Sequence, residues 1–274
     1  MSALPAGIVG LFGRPYVDLE PFLDLEPLGA IHDEVCLALA ELPSTYTGGS
    51  HRSMGIMPES RRGEALVDYG EAIAAMSDRD FATFRSLADD PSAIDVERRR
   101  ELTFGEEREV PLSRRQMLWL KVRFGVYFPW KVFVELIPSR SWSDKAEPKE
   151  FTSRAKSFFP KTVEFARKLP FSHIGRCNIM GLEAHDHGTV HRDGVPEERR
   201  VAGLAPDHFI VLCPAANKRL YLFSDVSGEK FTIDKRAYWF NDNDYHGVAS
   251  APFFRYSIRV DGVFEETFLR RIQS

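Results

Sequence analysis

Cysteine is scarce in this sequence of 274 residues, and the three that occur, Cys36, Cys177 and Cys213, are widely spaced. An odd number of cysteines at such spacings excludes a disulfide framework and a zinc ribbon, and it favours a reducing cytoplasm. Basic residues are not in excess either, because the net charge is −4. Nucleic acid is therefore not an expected partner.

Long hydrophobic runs are also missing. The most apolar stretch, FGVYFPWKVFVELIP at residues 124–138, is too short to span a bilayer, and Lys131 interrupts it. The N-terminal sequence MSALPAGIVGLFGRPYVDLEP has no basic segment before its apolar residues, which argues against a signal peptide. We therefore expect a soluble, cytoplasmic protein that does not interact with a membrane. The sequence leaves its oligomeric state open.

The composition is that of a folded chain, with 43% hydrophobic and 28% charged residues. Apolar residues recur at helical spacing in residues 28–42, residues 63–88 read as one or two helices, and Pro160 is expected to start another. Residues 94–115 carry many charges of both signs, which favours either a solvated surface or a docking site for a charged substrate. These patterns predict a mainly helical region over residues 1–150.

After residue 170 the pattern changes to short β-rich runs separated by turn residues. Several strands at this spacing favour an antiparallel sandwich or barrel. We therefore predict an α+β fold in which residues 151–274 form the β-rich core and the helical region packs on it as part of one integrated domain. The runs are GRCNIMGL, HFIVLCP, RLYLFSD, EKFTI, AYWFND and FFRYSIRVDGVF.

Three of the eight histidines lie in one short stretch, HDHGTVHRDG at residues 185–194. Residues two apart in a strand point to the same side, so His191 and Asp193 can share a metal ion. His246, in the downstream stretch FNDNDYHGV, is the best candidate for a third ligand. Two histidines and one carboxylate form the facial triad of non-heme Fe(II) oxygenases, which leaves coordination positions open.

Charged and polar residues alternate along the last β-rich run, at Arg255, Ser257 and Arg259. If this face is buried, unpaired cations are too costly, and an anionic ligand such as 2-oxoglutarate offsets that cost. The guanidinium of Arg255 can hold a carboxylate with two parallel hydrogen bonds, and Ser257 shares its face as a second cosubstrate-binding candidate. The alternative is that this face meets solvent and the intervening residues are buried instead.

Four stretches between about residues 155 and 268 share features with a known enzyme family. They are FFPKTVEFARKLPF, RCNIMGLEAHDHGTVHRDG, HFIVLCP and FNDNDYHGVASAPFFRYSIRVDGVF. Together they resemble the aspartyl/asparaginyl β-hydroxylase family of Fe(II)/2-oxoglutarate oxygenases. The resemblance implies a double-stranded β-helix core of the jelly-roll or cupin type. It further implies that Fe(II), 2-oxoglutarate and O2 are used to hydroxylate an unactivated C–H bond of an amino acid, either free or as a side chain in a peptide.

Site roles follow from the same resemblance, position by position. His191, Asp193 and His246 would bind the iron, although the family's vertebrate members lack the carboxylate ligand that many bacterial relatives have. Arg255 would pair with the far carboxylate of 2-oxoglutarate. Two further cosubstrate-binding positions correspond to His208 and Asn178. The family tends to have an arginine two residues before the strand histidine, whereas this sequence has Pro206, and Arg199 or Arg200 would either replace that arginine or be solvated loop charges.

Substrate contacts are predicted at the mouth of the barrel. His185 and His187 are expected in a loop there, either as structural or solvent-facing residues or with one of them, His187 in the first place, positioning the substrate. Basic residues that can grip a substrate carboxylate are Arg259, Arg192 and Arg52. Two other functions stay open: a non-catalytic cupin-like binding or sensor protein for a small acid or peptide, and a zinc hydrolase, which is disfavoured because no general base lies next to the triad.

Overall fold

The structure is a computed structural model that describes residues 4–42, 45–46, 57–61, 67, 69–97, 112–128, 132–139, 143–193 and 206–273. Its helices are α1 (Leu28–Glu41), α2 (Tyr69–Ala74), α3 (Asp78–Ser86), α4 (Arg114–Phe124), α5 (Ser153–Phe158), α6 (Pro160–Arg167) and α7 (Glu266–Gln273). Its strands are β1 (Tyr16–Asp18), β2 (Thr45–Tyr46), β3 (Leu112–Ser113), β4 (Val132–Ile137), β5 (Phe171–Leu182), β6 (Gly188–His191), β7 (His208–Leu212), β8 (Leu220–Phe223), β9 (Lys230–Thr232), β10 (Ala237–Phe240), β11 (His246–Val248) and β12 (Arg255–Phe264).

The strands form two larger antiparallel sheets. One is six-stranded with the order β1-β10-β7-β12-β5-β4, and the other is four-stranded with the order β6-β11-β8-β9. Strands β2 and β3 pair separately. This combination of helices with antiparallel sheet confirms the α+β class, and nearly all of the β structure predicted after residue 170 is present.

Helices α1 and α6 form as predicted, and a side chain of α1 caps the start of α6. Helix α1 buries residues that recur on one side, among them Ile31 and Val35. Helix α6 begins at Pro160, a position where the missing amide hydrogen costs nothing. Its first free amides are capped by Glu34 of α1, whose carboxylate accepts from the backbone nitrogens of Lys161 (2.6 Å) and Thr162 (2.9 Å).

The N-terminal region contributes strands as well as helices. Strand β4 pairs with β5 at one edge of the six-stranded sheet, and β1 pairs with β10 at the other edge. The apolar run at residues 124–138 thus ends in a sheet strand. Among the helices of the described residues, none combines the length and the hydrophobicity that a membrane span requires. Most of the charged segment at residues 94–115 lies outside the described residues.

Both faces of strand β12 are buried, including the face that carries its charged residues. Tyr256, on the face toward the helices, stacks on His32 of α1 with a ring distance of 5.8 Å. The opposite face carries Arg255, Ser257 and Arg259, whose exposed fractions are 1%, 2% and 6%. The alternative of a solvent-facing arginine strand is therefore wrong, and the cations of this face have to be matched inside the protein.

Candidate metal centre

Three predicted ligands converge where β6 ends and β11 begins. His191 and His246 are direct partners across these antiparallel strands, so their side chains share a face, and their rings lie 4.6 Å apart. Asp193 follows two residues after His191, and its backbone nitrogen donates to the carbonyl of Asp242 at 3.0 Å. One potential ligand atom of each of the three side chains lies within 4.8 Å of the others. All three residues are buried.

Backbone carbonyls set the tautomer of both histidines. Nδ1 of His191 lies 2.8 Å from the carbonyl of Thr189, and Nδ1 of His246 lies 2.9 Å from the carbonyl of Asp244. A carbonyl only accepts, so each Nδ1 carries the proton and each Nε2 presents its lone pair to the centre. Burial, and next the neighbouring imidazole of His191, lower the pKa of His246 to about 4. Its ring is therefore neutral near pH 7, as a metal ligand requires.

The carboxylate of Asp193 is oriented by Arg259. Oδ1 lies 3.6 Å from Nε2 of both histidines, while Oδ2 accepts from Nη1 of Arg259 at 2.9 Å. Burial by itself raises the pKa of Asp193, but the surrounding positive charge, including that of Arg259, holds it well below its usual range. One carboxylate oxygen is thus left facing the two imidazoles.

Arg259 is shared between two carboxylates. Its Nε donates to Asp261 at 2.9 Å, opposite the contact of Nη1 with Asp193. Its guanidinium carbon lies 3.9 Å from the ring centroid of Phe209. Its third nitrogen, Nη2, is buried and has no hydrogen-bond partner among the described residues. A buried donor of this kind, close to the triad, suits a polar group of a ligand.

Arg255 lies on the same face of β12 but is engaged differently. Its guanidinium donates to backbone carbonyls of Lys218 at 3.3 Å, Asp186 at 2.8 Å, Glu183 and Ala249. Two of these carbonyls belong to the segment between β5 and β6 that carries the clustered histidines. The arginine predicted to hold the cosubstrate therefore also ties this loop to the segment after β11.

Of the other predicted cosubstrate positions, Ser257 and Asn178 share the face of the triad and His208 does not. Asn178 is the register partner of Arg259, and its amide donates to the carbonyl of Cys177 and accepts from Arg176. His208 stacks on Phe264 instead, at a ring distance of 4.7 Å. The reason is strand parity: the next residue of β7, Phe209, faces Arg259, so His208 points to the other side of the sheet.

Of the predicted substrate contacts, Arg259 donates directly to Asp193 of the triad, and the others lie away from the triad or outside the described residues. Arg192 stacks on Tyr245, with its guanidinium carbon 5.3 Å from the ring centroid. His187 lies in the loop before β6, where its ring is 5.4 Å from that of Tyr127. His185 is exposed and has a positive φ of 66°. The arginines at positions 52, 199 and 200 lie outside the described residues.

The acidic turn before His246 docks the N-terminal segment. The carboxylate of Asp244 accepts from the backbone nitrogens of Val9 at 2.7 Å and Gly10 at 2.8 Å. Asn241 donates to the carbonyl of Gly10 at 3.1 Å. The partner of this turn was not predictable from the sequence, because contacts across the whole length of the chain leave no local signal.

Two buried lysines also escaped sequence reasoning. Lys145 donates to Asp207 at 2.8 Å and lies 3.9 Å from Asp261, and burial lowers its pKa to about 8. Lys218 donates to the carbonyl of Met180 at 2.9 Å. A single lysine in a turn carries no pattern that reveals burial, so neither of them was predictable.

Comparison with known proteins leaves the family open. No protein-family model and no curated protein matches the chain. Similar solved structures include a Pseudomonas putida prolyl-4-hydroxylase, with 14% identity, a TM-score of 0.25, and coverage of 39% of this chain and 56% of that one. The chain thus spans little more than half the length of that protein.

Two further solved structures are similar at the same level. A viral collagen prolyl hydroxylase from Paramecium Bursaria Chlorella virus-1, in complex with 2OG, has 10% identity and a TM-score of 0.27, with 47% and 77% of the two chains covered. A 2OG-Fe(II) oxygenase family oxidoreductase from Burkholderia pseudomallei has 13% identity and a TM-score of 0.26, with 47% and 65% covered. Similarity this weak assigns no function, which has to be inferred from the residues of the site.

Proposed function

We propose that this protein is an Fe(II)- and 2-oxoglutarate-dependent oxygenase that hydroxylates an unactivated C–H bond of an amino acid, either free or as a side chain in a peptide. The observation that carries the proposal is the buried convergence of His191, Asp193 and His246, with both imidazoles fixed through Nδ1. A set of two neutral imidazoles and one carboxylate on one side of a metal is typical of such oxygenases.

The three ligands fit a small divalent ion. Ligand atoms that lie about 2.1 Å from one ion are about 3 Å apart at right angles, and Nε2 of either histidine lies 3.6 Å from Oδ1 of Asp193. Fe(II), when bound here, supplies the activation of O2 that is coupled to oxidative decarboxylation of 2-oxoglutarate. The protein contributes ligation, orientation of the carboxylate by Arg259, and exclusion of water.

The strand order supports a double-stranded β-helix. The eight strands β5–β12 divide equally between the sheets, as β10-β7-β12-β5 and β6-β11-β8-β9, and most consecutive strands switch from one sheet to the other. Two four-stranded sheets linked in this way are typical of jelly rolls. Strands β1 and β4 extend this core, which favours one integrated domain over separate units at residues 1–150 and 151–274.

For the cosubstrate we propose binding along the buried face of β12. Arg255 and Ser257 remain the candidates for the far carboxylate, and Asn178 lines the same face. His208 is no longer a candidate, because its ring lies on the opposite face of the sheet. The open donor of Arg259 favours a role for this arginine in binding a ligand carboxylate near the triad.

We propose that the substrate binds at the mouth of the barrel, beside the loop that contains His187. Arg192 is a weaker candidate, since its guanidinium is stacked on Tyr245. A binding or sensor protein would share the same pocket but form no succinate. A zinc hydrolase is less well supported, because the cationic face of β12 would have no role in it.

The test is succinate formation from 2-oxoglutarate in the presence of Fe(II), ascorbate and O2. Wild type and His191→Ala are compared, each with a panel of free amino acids and short peptides. Succinate that requires both Fe(II) and His191 supports the oxygenase, and a panel member that accelerates it identifies the substrate class. Binding of Fe(II) and 2-oxoglutarate without succinate, across the whole panel, would favour the binding protein.

A further inference from the structure

The turn between β10 and β11 supports two of the three candidate metal ligands. The carbonyl of Asp244 accepts from Nδ1 of His246 at 2.9 Å, and the carbonyl of Asp242 accepts from the backbone nitrogen of Asp193 at 3.0 Å. A contact to Nδ1 fixes the tautomer and the ring orientation of a ligating histidine. The conformation of this turn therefore helps to determine where both side chains point.

Asp244 connects this turn to the N-terminal segment, which we define as residues 6–14. Only 2% of Asp244 is exposed, and its two carboxylate oxygens accept one hydrogen bond each, from the backbone nitrogens of Val9 at 2.7 Å and Gly10 at 2.8 Å. Two successive backbone amides form a binding site for an anion, and their bonds to a carboxylate are stronger than those to a neutral acceptor. Val9 is itself exposed, so the segment holds Asp244 through its backbone.

Further contacts fix the N-terminal segment on either side of these two amides. The hydroxyl of Ser224 donates to the carbonyl of Ala6 at 2.6 Å, and the ring of Phe12 lies 5.8 Å from that of Trp239 in an edge-on arrangement. The chain then continues into β1, which pairs with β10. The segment is therefore anchored independently of Asp244, and it provides a fixed support for the turn.

Gly10 allows the segment to take the path that this contact needs. Gly10 and Gly13 both have positive φ values, 64° and 73°, which glycine adopts without strain. A Cβ atom at Gly10 would lie 2.2 Å from the carbonyl oxygen of Arg14, whereas a Cβ atom at Gly13 would meet no atom of the described residues within 4 Å beyond its chain neighbours. Alanine at either position strains the backbone, but only at Gly10 does it also displace the segment.

We infer that Asp244 is a positioning residue for the metal centre, and that the N-terminal segment acts through it to raise the affinity for the metal ion. The inference rests on the proposed function, since it requires a metal ion bound by His191, Asp193 and His246. With its carboxylate held by two amides, Asp244 keeps its carbonyl in place for Nδ1 of His246. Without that support the ring reorients more freely, and the ligands are less well preorganised for the ion.

The experiment measures metal binding and stability separately, without turnover. Calorimetric titration gives the affinity for Mn(II), the absorption spectrum of the Co(II)-saturated protein reports the geometry around the ion, and urea unfolding of the metal-free protein gives its stability. The variants are Asp244→Ala, which removes both acceptors, Asp244→Asn, which keeps one, and Gly10→Ala, which leaves the turn itself unchanged. Gly13→Ala is the matched control, because it adds backbone strain without the clash.

Loss of the support behind a metal ligand should weaken metal binding by about 10–100-fold. Asp244→Ala and Gly10→Ala should both show this loss, together with an altered Co(II) spectrum at saturation. Asp244→Asn should show a smaller loss. Gly13→Ala should keep the affinity and the spectrum of the wild type, even where its stability is as low as that of Gly10→Ala.

Wild-type affinity and spectrum in both Asp244→Ala and Gly10→Ala would overturn the inference and leave the proposed function intact. An equal loss of affinity in Gly10→Ala and Gly13→Ala would also overturn it, because the effect would then follow from stability alone. If Asp244→Ala does not fold, Asp244→Asn takes its place in both comparisons. Failure of the wild type to bind Mn(II) and Co(II) would instead refute the proposed function, and the inference with it.

Discussion

Tyr127 offers a direct test of how the loop before the metal ligands is held. Its hydroxyl donates to the carbonyl of His187 at 2.8 Å and accepts from the backbone nitrogen of Thr189 at 3.0 Å. The carbonyl of Thr189 in turn accepts from Nδ1 of His191. Tyr127→Phe therefore removes two contacts of the loop and keeps the aromatic ring in place.

The expected loss follows from these two hydrogen bonds. Each contributes about 0.5–1.5 kcal/mol. Tyr127 is half-buried, and burial raises the pKa of its hydroxyl to about 12. We expect the free energy of unfolding to fall by about 1–3 kcal/mol. In a chain of this size 1 kcal/mol shifts Tm by roughly 2–4 °C, so Tm should fall by roughly 2–12 °C.

Thermal and urea unfolding of the metal-free protein would measure this loss. The control is Tyr16→Phe: Tyr16 is half-buried in β1, and no hydrogen bond of its hydroxyl occurs among the described residues, so a change within about 0.5 kcal/mol is expected. Because Thr189, which donates to Tyr127, also provides the carbonyl acceptor for His191, Tyr127→Phe should also weaken Mn(II) binding, by up to about tenfold. An equal free energy of unfolding for Tyr127→Phe and Tyr16→Phe would refute the reasoning.

Three other predictions concern buried groups. Arg259→Gln leaves the buried carboxylate of Asp193 without its cation, whereas Asp261 keeps Arg176 at 3.5 Å and Lys145 at 3.9 Å. Urea unfolding should therefore show a loss of about 3–5 kcal/mol, with a smaller loss for Arg259→Lys; an unchanged midpoint would contradict this. The pKa of Lys218 is about 7 in the folded protein against 10.5 in an unfolded chain, so unfolding takes up a proton between these values. In that window the free energy of unfolding of the wild type should therefore rise with pH relative to that of Lys218→Met. A difference between the two proteins that stays constant from pH 7 to pH 10 would exclude the lowered pKa of Lys218. Cys36 is exposed and the other two cysteines are buried. A thiol reagent should therefore modify one cysteine in the native protein and all three after unfolding. Rapid modification of a second cysteine in the native protein would contradict this prediction.

The triad was predictable because its signals are local. His191 and Asp193 share a face through strand parity alone, and His246 begins the strand that pairs beside them. The alternation along β12 likewise predicted that Arg255, Ser257 and Arg259 lie on one face, although the partners of the two arginines did not follow from it.

The rest depends on contacts between distant parts of the chain. Strands β1 and β4 join the edges of the sheet from the N-terminal region, where their short apolar runs have no distinctive period. His208 was assigned by its position relative to a family pattern, which does not determine the face of the strand on which a side chain lies. Lys218 is buried because the turn around it has positive φ values, and the residues Ala216 and Arg219 do not predict that conformation.

The buried charges of the β12 face separate into two ends with different partners. At the triad, Arg259 is matched by the carboxylates of Asp193 and Asp261, so this end is compensated before any ligand binds. At the other end, the guanidinium of Arg255 donates to backbone carbonyl oxygens, which offset a full charge only in part. A metal ion adds positive charge to the first end, and a dianion that reaches from the metal to the second end compensates both. The face therefore suits a dicarboxylate better than a monocarboxylate of the same chain length. Anaerobic titrations of the Mn(II)-loaded protein with 2-oxoglutarate and with 2-oxopentanoate, which lacks the far carboxylate, would measure this preference.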